Sequence, residues 1–187
     1  MAIGNNNLIL SHLSGTIGNQ ITVRQVAGAT IVSKKQKKKT KRSSEKQLET
    51  QDVFKDASYI AKQLLLDPDL EAFYASVAGP RQTAYNMALM DAYEPPEITN
   101  ITTDQYIGNP GDKIIVRAID KLRVYQVVVT IYTAEGTLLE EGNAILGRNG
   151  KDWTYTATKE HVVSKGAKIQ TMAEDIPANK TYREVIF

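Results

Sequence analysis

Two adjacent prolines constrain this chain more than any other feature. The stretch Glu94-Pro95-Pro96-Glu97 enforces an extended backbone, because proline fixes φ and the residue before a proline avoids the helical region. Before this stretch apolar residues recur at helical spacing, and after it they alternate in short runs. The change of pattern predicts two domains, residues 1–94 and residues 97–187.

The sequence of the second domain predicts short strands separated by turns. Several short alternating runs in succession are typical of a β-sandwich. The chain has no cysteine, so we expect an Ig-like or fibronectin-like sandwich without an inter-sheet disulfide. Val127, Val129 and Ile131 would face its core, and Trp153 would fill the space between its sheets. The seven runs are Ile98–Thr103, Lys113–Ile119, Tyr125–Thr133, Leu138–Ile145, Trp153–Thr158, Ala167–Ala173 and Tyr182–Phe187.

The first domain begins with a predicted β-hairpin. Ile21–Val26 alternates apolar and polar residues, Ala27-Gly28 suits a tight turn, and Ala29–Val32 returns. The preceding Gly15–Asn19 is interpreted as a turn. It lacks the Lys-Ser/Thr and the strand-to-helix context of a phosphate-binding loop.

Three helices are predicted next, over about 44–66, 68–78 and 81–92. Ser44 and Gln47 have the spacing of a capping box, and Asp67 with Pro68 marks the start of the second helix. We expect the apolar helix faces to pack on one another and on the hairpin. The fold class is therefore α+β: a β-hairpin with a three-helix unit, followed by a β-sandwich.

A basic segment, residues 34–42, joins the hairpin to the first helix. Without it, sixteen basic residues face twenty-one acidic ones, so the net charge of +2 depends on this segment. It has three interpretations: a solvated linker, a phosphate-binding arm, or an arm that docks on an acidic surface. For docking we favour another copy's sandwich domain. The segment carries seven of the chain's twenty-three basic residues: Lys34, Lys35, Lys37, Lys38, Lys39, Lys41 and Arg42.

Few residues suggest chemistry. His12 and His161 lie in no catalytic or metal-binding motif, and no nucleophile-elbow or zinc-protease signature is present. Four aspartates fall at the ends of predicted strands, where aspartate is a common turn residue. They are Asp104, Asp112, Asp120 and Asp152. We expect no catalytic residue, cofactor or metal, and we expect Glu140-Glu141 and Glu174-Asp175 to be solvated strand edges.

The N-terminal residues do not resemble a secretory signal, and no apolar run approaches the ~20 residues of a membrane span. We therefore expect a protein of the cytoplasm or of a virion, with no membrane partner.

The chain resembles an uncharacterised family of small two-domain proteins from Bacteroidetes and their phages. The likeness lies in residues 14–19, the hairpin around Gly28, the basic segment, the helix start near Ser44 and the sequence 84–88. Gly111–Val116 and Glu141–Ala144 resemble the C-terminal β domain of that family. These motifs imply a fold and no chemistry. The family usually has a proline in the basic segment, where this chain has lysines and a threonine.

We expect a non-enzymatic structural protein, and the family resemblance favours a phage virion component of the capsid or tail. It would assemble as a homo-oligomer or with other subunits, through its hairpin and basic segment. The first alternative is a nucleic-acid-binding protein that uses the same segment, without base readout because no aromatics are interleaved. The second is a sandwich that binds glycans or surfaces through aromatic residues. Tyr106, Tyr125, Tyr132 and Tyr155 are available, although strand alternation assigns most of them to the core or to cross-strand pairs.

Overall fold

The computed structural model describes residues 2–4, 13–26, 28–36, 44–160 and 165–187, with the backbone alone for residues 2–4. Within these residues the chain forms three α-helices and three antiparallel sheets of four strands each. The α+β class predicted from the sequence is confirmed.

The N-terminal sheet contains β1 (Ala2–Gly4), β2 (Gly15–Ile17), β3 (Ile21–Val26) and β4 (Ala29–Lys34), in the order β1-β4-β3-β2. The predicted hairpin is β3–β4. The segment expected to be only a turn supplies a strand as well, since Gly15–Ile17 pairs with β3. The reversal lies at Gly18 and Asn19, whose φ values of 56° and 58° are left-handed, a conformation that suits glycine and asparagine.

The helices are α1 (Glu45–Leu64), α2 (Pro68–Ser76) and α3 (Ala84–Tyr93). The predicted capping box is present: Gln47 N donates to Ser44 Oγ at 3.4 Å, and Ser44 N donates to the Gln47 side chain at 3.2 Å. Asp67 caps α2 by accepting from Asp69 N at 2.9 Å. α3 begins later than expected because a second capping box, Thr83 with Asn86, fixes its start.

Only part of α1 packs against another helix. Its buried residues are Ala57 and Ala61, and Ala61 belongs to the core that α1 shares with α2 and α3. Residues 45–56 are exposed throughout, and Leu48, Val53 and Phe54 remain 47%, 51% and 50% exposed. The expectation that the whole apolar face packs is therefore wrong for Leu48 and Val53, and it holds only in part for Phe54, whose ring meets Tyr93 of α3 edge-on. α3 has 10 residues and α1 has 20, so α3 is too short to cover it.

Two sheets form the domain after the prolines. Their orders are β5-β6-β10-β9 and β12-β11-β7-β8. Inward side chains from both sheets share one core, which contains Val127, Val129, Ile131 and Trp153 as predicted. The strands are β5 (Glu97–Gln105), β6 (Lys113–Ile119), β7 (Val124–Tyr132), β8 (Leu138–Asn143), β9 (Ile145–Leu146), β10 (Asp152–Thr156), β11 (Lys168–Asp175) and β12 (Lys180–Ile186).

The run predicted as one strand over Leu138–Ile145 is two strands in different sheets. β8 pairs with β7, whereas Ile145 in β9 pairs with Thr154 of β10. Between them Ala144 is buried, and its N donates to Val127 O at 2.8 Å. Residues 138–146 show no regular apolar–polar alternation, so periodicity does not reveal the crossing.

The helices and the β domain (residues 97–187) are in contact. Leu122 and Ile176 pack on the helical core around Tyr74. From the β11–β12 turn, Asn179 Nδ2 donates to Asp91 O at 3.2 Å and to Ala92 O at 3.4 Å. The end of α3 is therefore attached to the β domain by side-chain hydrogen bonds as well as by the chain itself.

Candidate interaction site

Two of the seven predicted interaction residues lie in the described part of the chain. Lys34 ends β4, and Lys35 follows it; both are exposed. The remaining five, Lys37, Lys38, Lys39, Lys41 and Arg42, lie outside the described residues, as do His12 and His161.

The N-terminal sheet holds Lys35 at both its backbone and its side chain. Lys35 N donates to Gln20 O at 2.7 Å, and its Nζ donates to Asn19 Oδ1. The left-handed turn at Gly18-Asn19 presents that amide oxygen. The start of the basic segment is therefore an ordered extension of the sheet.

A third cation joins these lysines on the sheet. Thr16, Thr22 and Ser33 lie directly opposite one another in three neighbouring strands. Together with Arg24, Lys34 and Lys35 they line an open groove of about 350 Å³, here called the cationic groove. Hydroxyl donors beside guanidinium and ammonium groups suit the oxygens of a phosphate or a carboxylate.

Sequence reasoning missed Arg24. A signal was present, because Arg24 and Thr22 are two residues apart in a strand and so lie on the same face. The register with β2 and β4, which places Thr16 and Ser33 beside Thr22, was not available from the sequence.

The same sheet also exposes apolar side chains. Ile17 and Ile21 are paired across β2 and β3 and are 49% and 41% exposed. Lys34 lies opposite Ile21 in the β3–β4 register. An apolar pair beside a cation is a surface suited to docking on another macromolecule.

The acidic excess of the chain lies elsewhere than expected. Residues 97–187 contain twelve acidic and eleven basic residues, so the β domain is nearly neutral. Residues 43–96 contain nine acidic and four basic residues. The acidic charge that favoured the β domain as the docking surface is therefore absent, and the helices carry the excess negative charge.

Some acidic residues expected at solvated edges are buried. Glu140 is 4% exposed, and its Oε1 accepts from Thr158 N at 2.7 Å and from Thr158 Oγ1 at 2.6 Å. Burial, with a hydrogen bond to Glu140, raises the pKa of Tyr155. This group is part of the β-domain core. Glu141 is exposed and Glu174 partly exposed, in better agreement with the expectation.

A second buried acidic group lies where α3 meets the β domain. Asp91 and Asp175 are each 1% exposed. Tyr74 Oη donates to Asp91 Oδ2 at 2.7 Å, and Asn179 N donates to Asp175 Oδ1 at 2.7 Å. Asp91 Oδ1 is buried without a hydrogen-bond partner in the described part of the chain.

Burial dominates the titration of this group. It raises the pKa of Asp91 to about 7; the Tyr74 hydrogen bond opposes the rise, and nearby Asp120 and Asp175 add to it. Burial likewise raises the pKa of Asp175 to about 6, against the hydrogen bonds from Asn179. The junction therefore favours a neutral carboxyl at Asp91 over a carboxylate.

The strand-end aspartates support turns and ion pairs. Asp112 Oδ2 accepts from Ile107 N and Asn109 N, each at 2.8 Å, and Asp120 Oδ2 accepts from Arg123 N at 3.0 Å. Arg117 donates to Asp152 at 2.6 and 2.9 Å, and this bond lowers the pKa of Asp152 to about 2. In the described ranges no three His, Asp or Glu side chains are grouped so as to hold a metal ion.

The four tyrosines considered for a binding platform are dispersed between core and surface. Tyr106 and Tyr155 are each 4% exposed and belong to the β-domain core, whereas Tyr125 is 64% exposed. Tyr132 is half-buried, with Lys168 Nζ 5.4 Å from its ring centroid. As predicted from alternation, at least two of the four are core residues.

None of the helices in the described ranges combines the length and the hydrophobicity that crossing a bilayer requires.

Comparison with known protein families and with curated proteins found no match. Among solved structures, the chain is similar to the crystal structure of an engineered protein, at 11% identity and a TM-score of 0.36. The match covers 58% of this chain and 29% of that one, so it spans less than a third of the engineered protein. A likeness at this level supports no inference about function.

Proposed function

We propose that this chain is a non-enzymatic structural protein, which docks in a larger assembly through its N-terminal sheet and basic segment. The observation that carries the proposal is the composition of the sheet surface. Exposed Ile17 and Ile21 lie beside Lys34, where the basic segment begins. Apolar contact gives affinity and the cations give orientation toward an acidic partner.

A phage particle, in its capsid or tail, is the assembly that the family resemblance favours. The protein would then be found in the virion, or in the cytoplasm before assembly.

We infer that the β domain is an Ig-like sandwich that decorates or bridges subunits. Numbered A to G in chain order, with β8 as C′, its sheets read A-B-E-D and G-F-C-C′. Immunoglobulin constant-type sheets have the orders A-B-E-D and C-F-G. The crossing at Ala144 between C′ and D supports the assignment, because it takes the chain from one sheet to the other.

The direct test removes residues 34–42 and measures incorporation into the native assembly. We expect incorporation to be lost while circular dichroism still shows both domains folded. Because deletion also shortens a connector, a second variant of unchanged length, Lys37→Gln/Lys38→Gln/Lys39→Gln, should reduce incorporation in the same direction. Its matched control neutralises three exposed β-domain cations, Lys113→Gln/Arg148→Gln/Lys151→Gln. Normal incorporation of the deletion variant would refute the proposal.

Nucleic-acid binding is the second candidate, and the cationic groove favours it. Hydroxyl donors next to Arg24, Lys34 and Lys35 suit backbone phosphates, which dominate sequence-independent affinity. If all seven basic residues of the segment contact duplex DNA, log K should fall against log salt with a slope of up to about −6. A salt titration by fluorescence anisotropy measures the slope, and no binding at low salt would eliminate this candidate.

A further inference from the structure

The first half of α1 has little tertiary packing in the described part of the chain: Phe54 meets Tyr93 of α3 edge-on, with ring centroids 6.5 Å apart, on the side away from the residues discussed next. All of residues 45–56 are exposed, although a capping box fixes the start of the helix. A helical stretch of this length is marginal in water on its own, because helices gain most of their stability from packing. This half is therefore a surface on which another chain can pack.

One face of this half is negatively charged. Glu45, Glu49, Asp52 and Asp56, here called the acidic stripe, are spaced four, three and four residues apart, and such residues align along one side of a helix. All four are exposed. Lys55 Nζ lies 2.7 Å from Asp52 Oδ1, in a pair whose side chains are 72% and 69% exposed.

Apolar side chains lie on the same face. Leu48 and Tyr59 are four residues before and seven residues after Asp52, and they are 47% and 67% exposed. Like charges at these spacings destabilise a helix. A cationic partner with long aliphatic stems would relieve the repulsion and cover the apolar atoms, as lysine side chains do.

The strongest complementary feature of this protein is its own basic segment. Glu45 to Asp56 spans about 16 Å at the helical rise of 1.5 Å per residue. Six residues of extended chain, such as 37–42, span about 17 Å. Their lengths match, and their charges are opposite.

A neighbouring copy provides this segment more readily than the same chain does. Within one chain, Lys35 is bonded to Gln20 O and Ser44 N is bonded to Gln47 in the first turn of α1. The segment enters α1 at its N-terminus, so it would have to reverse at residues 43–44 to lie along its own acidic stripe. A segment from a second copy meets no such constraint.

We infer that the acidic stripe of α1 is the docking surface for the basic segment of a second copy of this chain. This rests on the proposed function, since it names the surface that the docking segment contacts. Each copy offers one acidic stripe and one basic segment, so the contact is either reciprocal in a dimer or repeated along a ring or filament.

Sedimentation velocity at low salt tests the pairing, because exposed charges are screened least there. The wild-type chain should self-associate. The stripe variant, Glu49→Lys/Asp56→Lys, and the segment variant, Lys37→Glu/Lys41→Glu, should each associate roughly tenfold or more weakly. An equimolar mixture of the two should recover association, because the reversed charges are again complementary.

The matched control, Asp104→Lys/Glu160→Lys, makes the same charge change at exposed β-domain positions and should associate as the wild type does. Circular dichroism verifies that every variant is folded. If the stripe variant fails to fold, Glu49→Gln/Asp56→Asn replaces it and should weaken association by a smaller factor.

The outcomes separate the two proposals. If the stripe variant associates normally and the segment variant does not, the acidic stripe is the wrong surface but docking by the segment stands. If both associate normally, docking between copies falls, and the incorporation test of the deletion variant still decides the proposed function. A monomeric wild type, or a mixture of the two variants that stays monomeric, contradicts docking between copies.

Discussion

The β domain and the N-terminal region use similar apolar residues in opposite ways. In the β domain, Ile114, Val127 and Ile169 are fully buried between two sheets. In the N-terminal region, Val53 and Ile17 remain about half exposed on a helix and a sheet, at 51% and 49%. The first set stabilises the fold through burial, whereas the second set remains free to bind a partner.

The largest loss of stability should come from truncating a buried aliphatic residue of the β domain. Ile169→Ala removes a side chain that is 0% exposed and should lower the free energy of unfolding by about 2–5 kcal/mol, from lost burial and the cavity left behind. Urea denaturation measures it. A loss below about 1 kcal/mol would mean that the core is more loosely packed than described.

Replacing glycine by alanine should also cost more stability in the β domain than in the N-terminal sheet. A Cβ on Gly142 would lie 2.8 Å from Cε2 of the buried Tyr155, so Gly142→Ala should destabilise the protein by about 1–3 kcal/mol through overpacking. At Gly28 a Cβ meets nothing within 4 Å, but φ is +76°. Gly28→Ala should therefore cost about 1 kcal/mol through backbone strain alone. Both values come from urea denaturation, and a larger loss for Gly28→Ala would reverse the comparison.

The stability contributed by the contact between α3 and the β domain should depend on pH. The pKa of Asp91 is raised to about 7, so the folded state retains a proton that the unfolded chain releases near pH 4. Stability from this group is complete below pH 4 and is lost as the pH rises toward 7. Tyr74 from α2, Asp120 after β6 and Asp175 from β11 are the titratable groups that face it.

Asp91→Asn should remove this dependence, because the amide carries no charge. Relative to the wild type, the variant should gain stability between pH 4.5 and 7.5, by about 1 kcal/mol or more. Urea denaturation at three pH values gives the difference. Asp104→Asn, at an exposed carboxylate, is the control and should show no such trend; an equal trend in both variants would exclude Asp91 as its source.

The smallest change in stability should come from substitutions in the first half of α1, residues 45–56. Leu48→Ala and Val53→Ala remove side chains that are about half exposed, so each should change the free energy of unfolding of the monomer by less than about 0.5 kcal/mol. Measurement at low protein concentration isolates the monomer. A loss comparable with that of Ile169→Ala would show that this half is packed in solution.

Local signals predicted much of the fold. Ser44 with Gln47, and Asp67 with Pro68, located two helix starts, because capping depends on a few adjacent residues. Alternation around Val129 identified the core face of β7. Such patterns specify which face of an element is apolar, and they do not specify what covers it. The exposed half of α1 was therefore predicted as packed.

The sequence did not predict which residues that are distant along the chain come together in the fold. Residues 138–146 do not alternate regularly, so periodicity could not locate the change of sheet at Ala144. Glu140 and Asp175 stand in acidic pairs typical of solvated edges, and only the fold brings Thr158 and Asn179 close enough to satisfy them. In the cationic groove, Lys34 and Lys35 were predicted, whereas Arg24 required the register of three strands.

The side-chain bridge from Asn179 to the end of α3 has a mechanical consequence. It joins the carbonyl oxygens of Asp91 and Ala92 to Asn179, which lies 88 and 87 residues further along the chain. Tension applied to the N-terminal sheet in an assembly would pass through α3 into the β11–β12 hairpin, as well as along the backbone at Pro95 and Pro96. Because the helices and the β domain are joined at two places, the backbone and the Asn179 hydrogen bonds, the junction should resist bending.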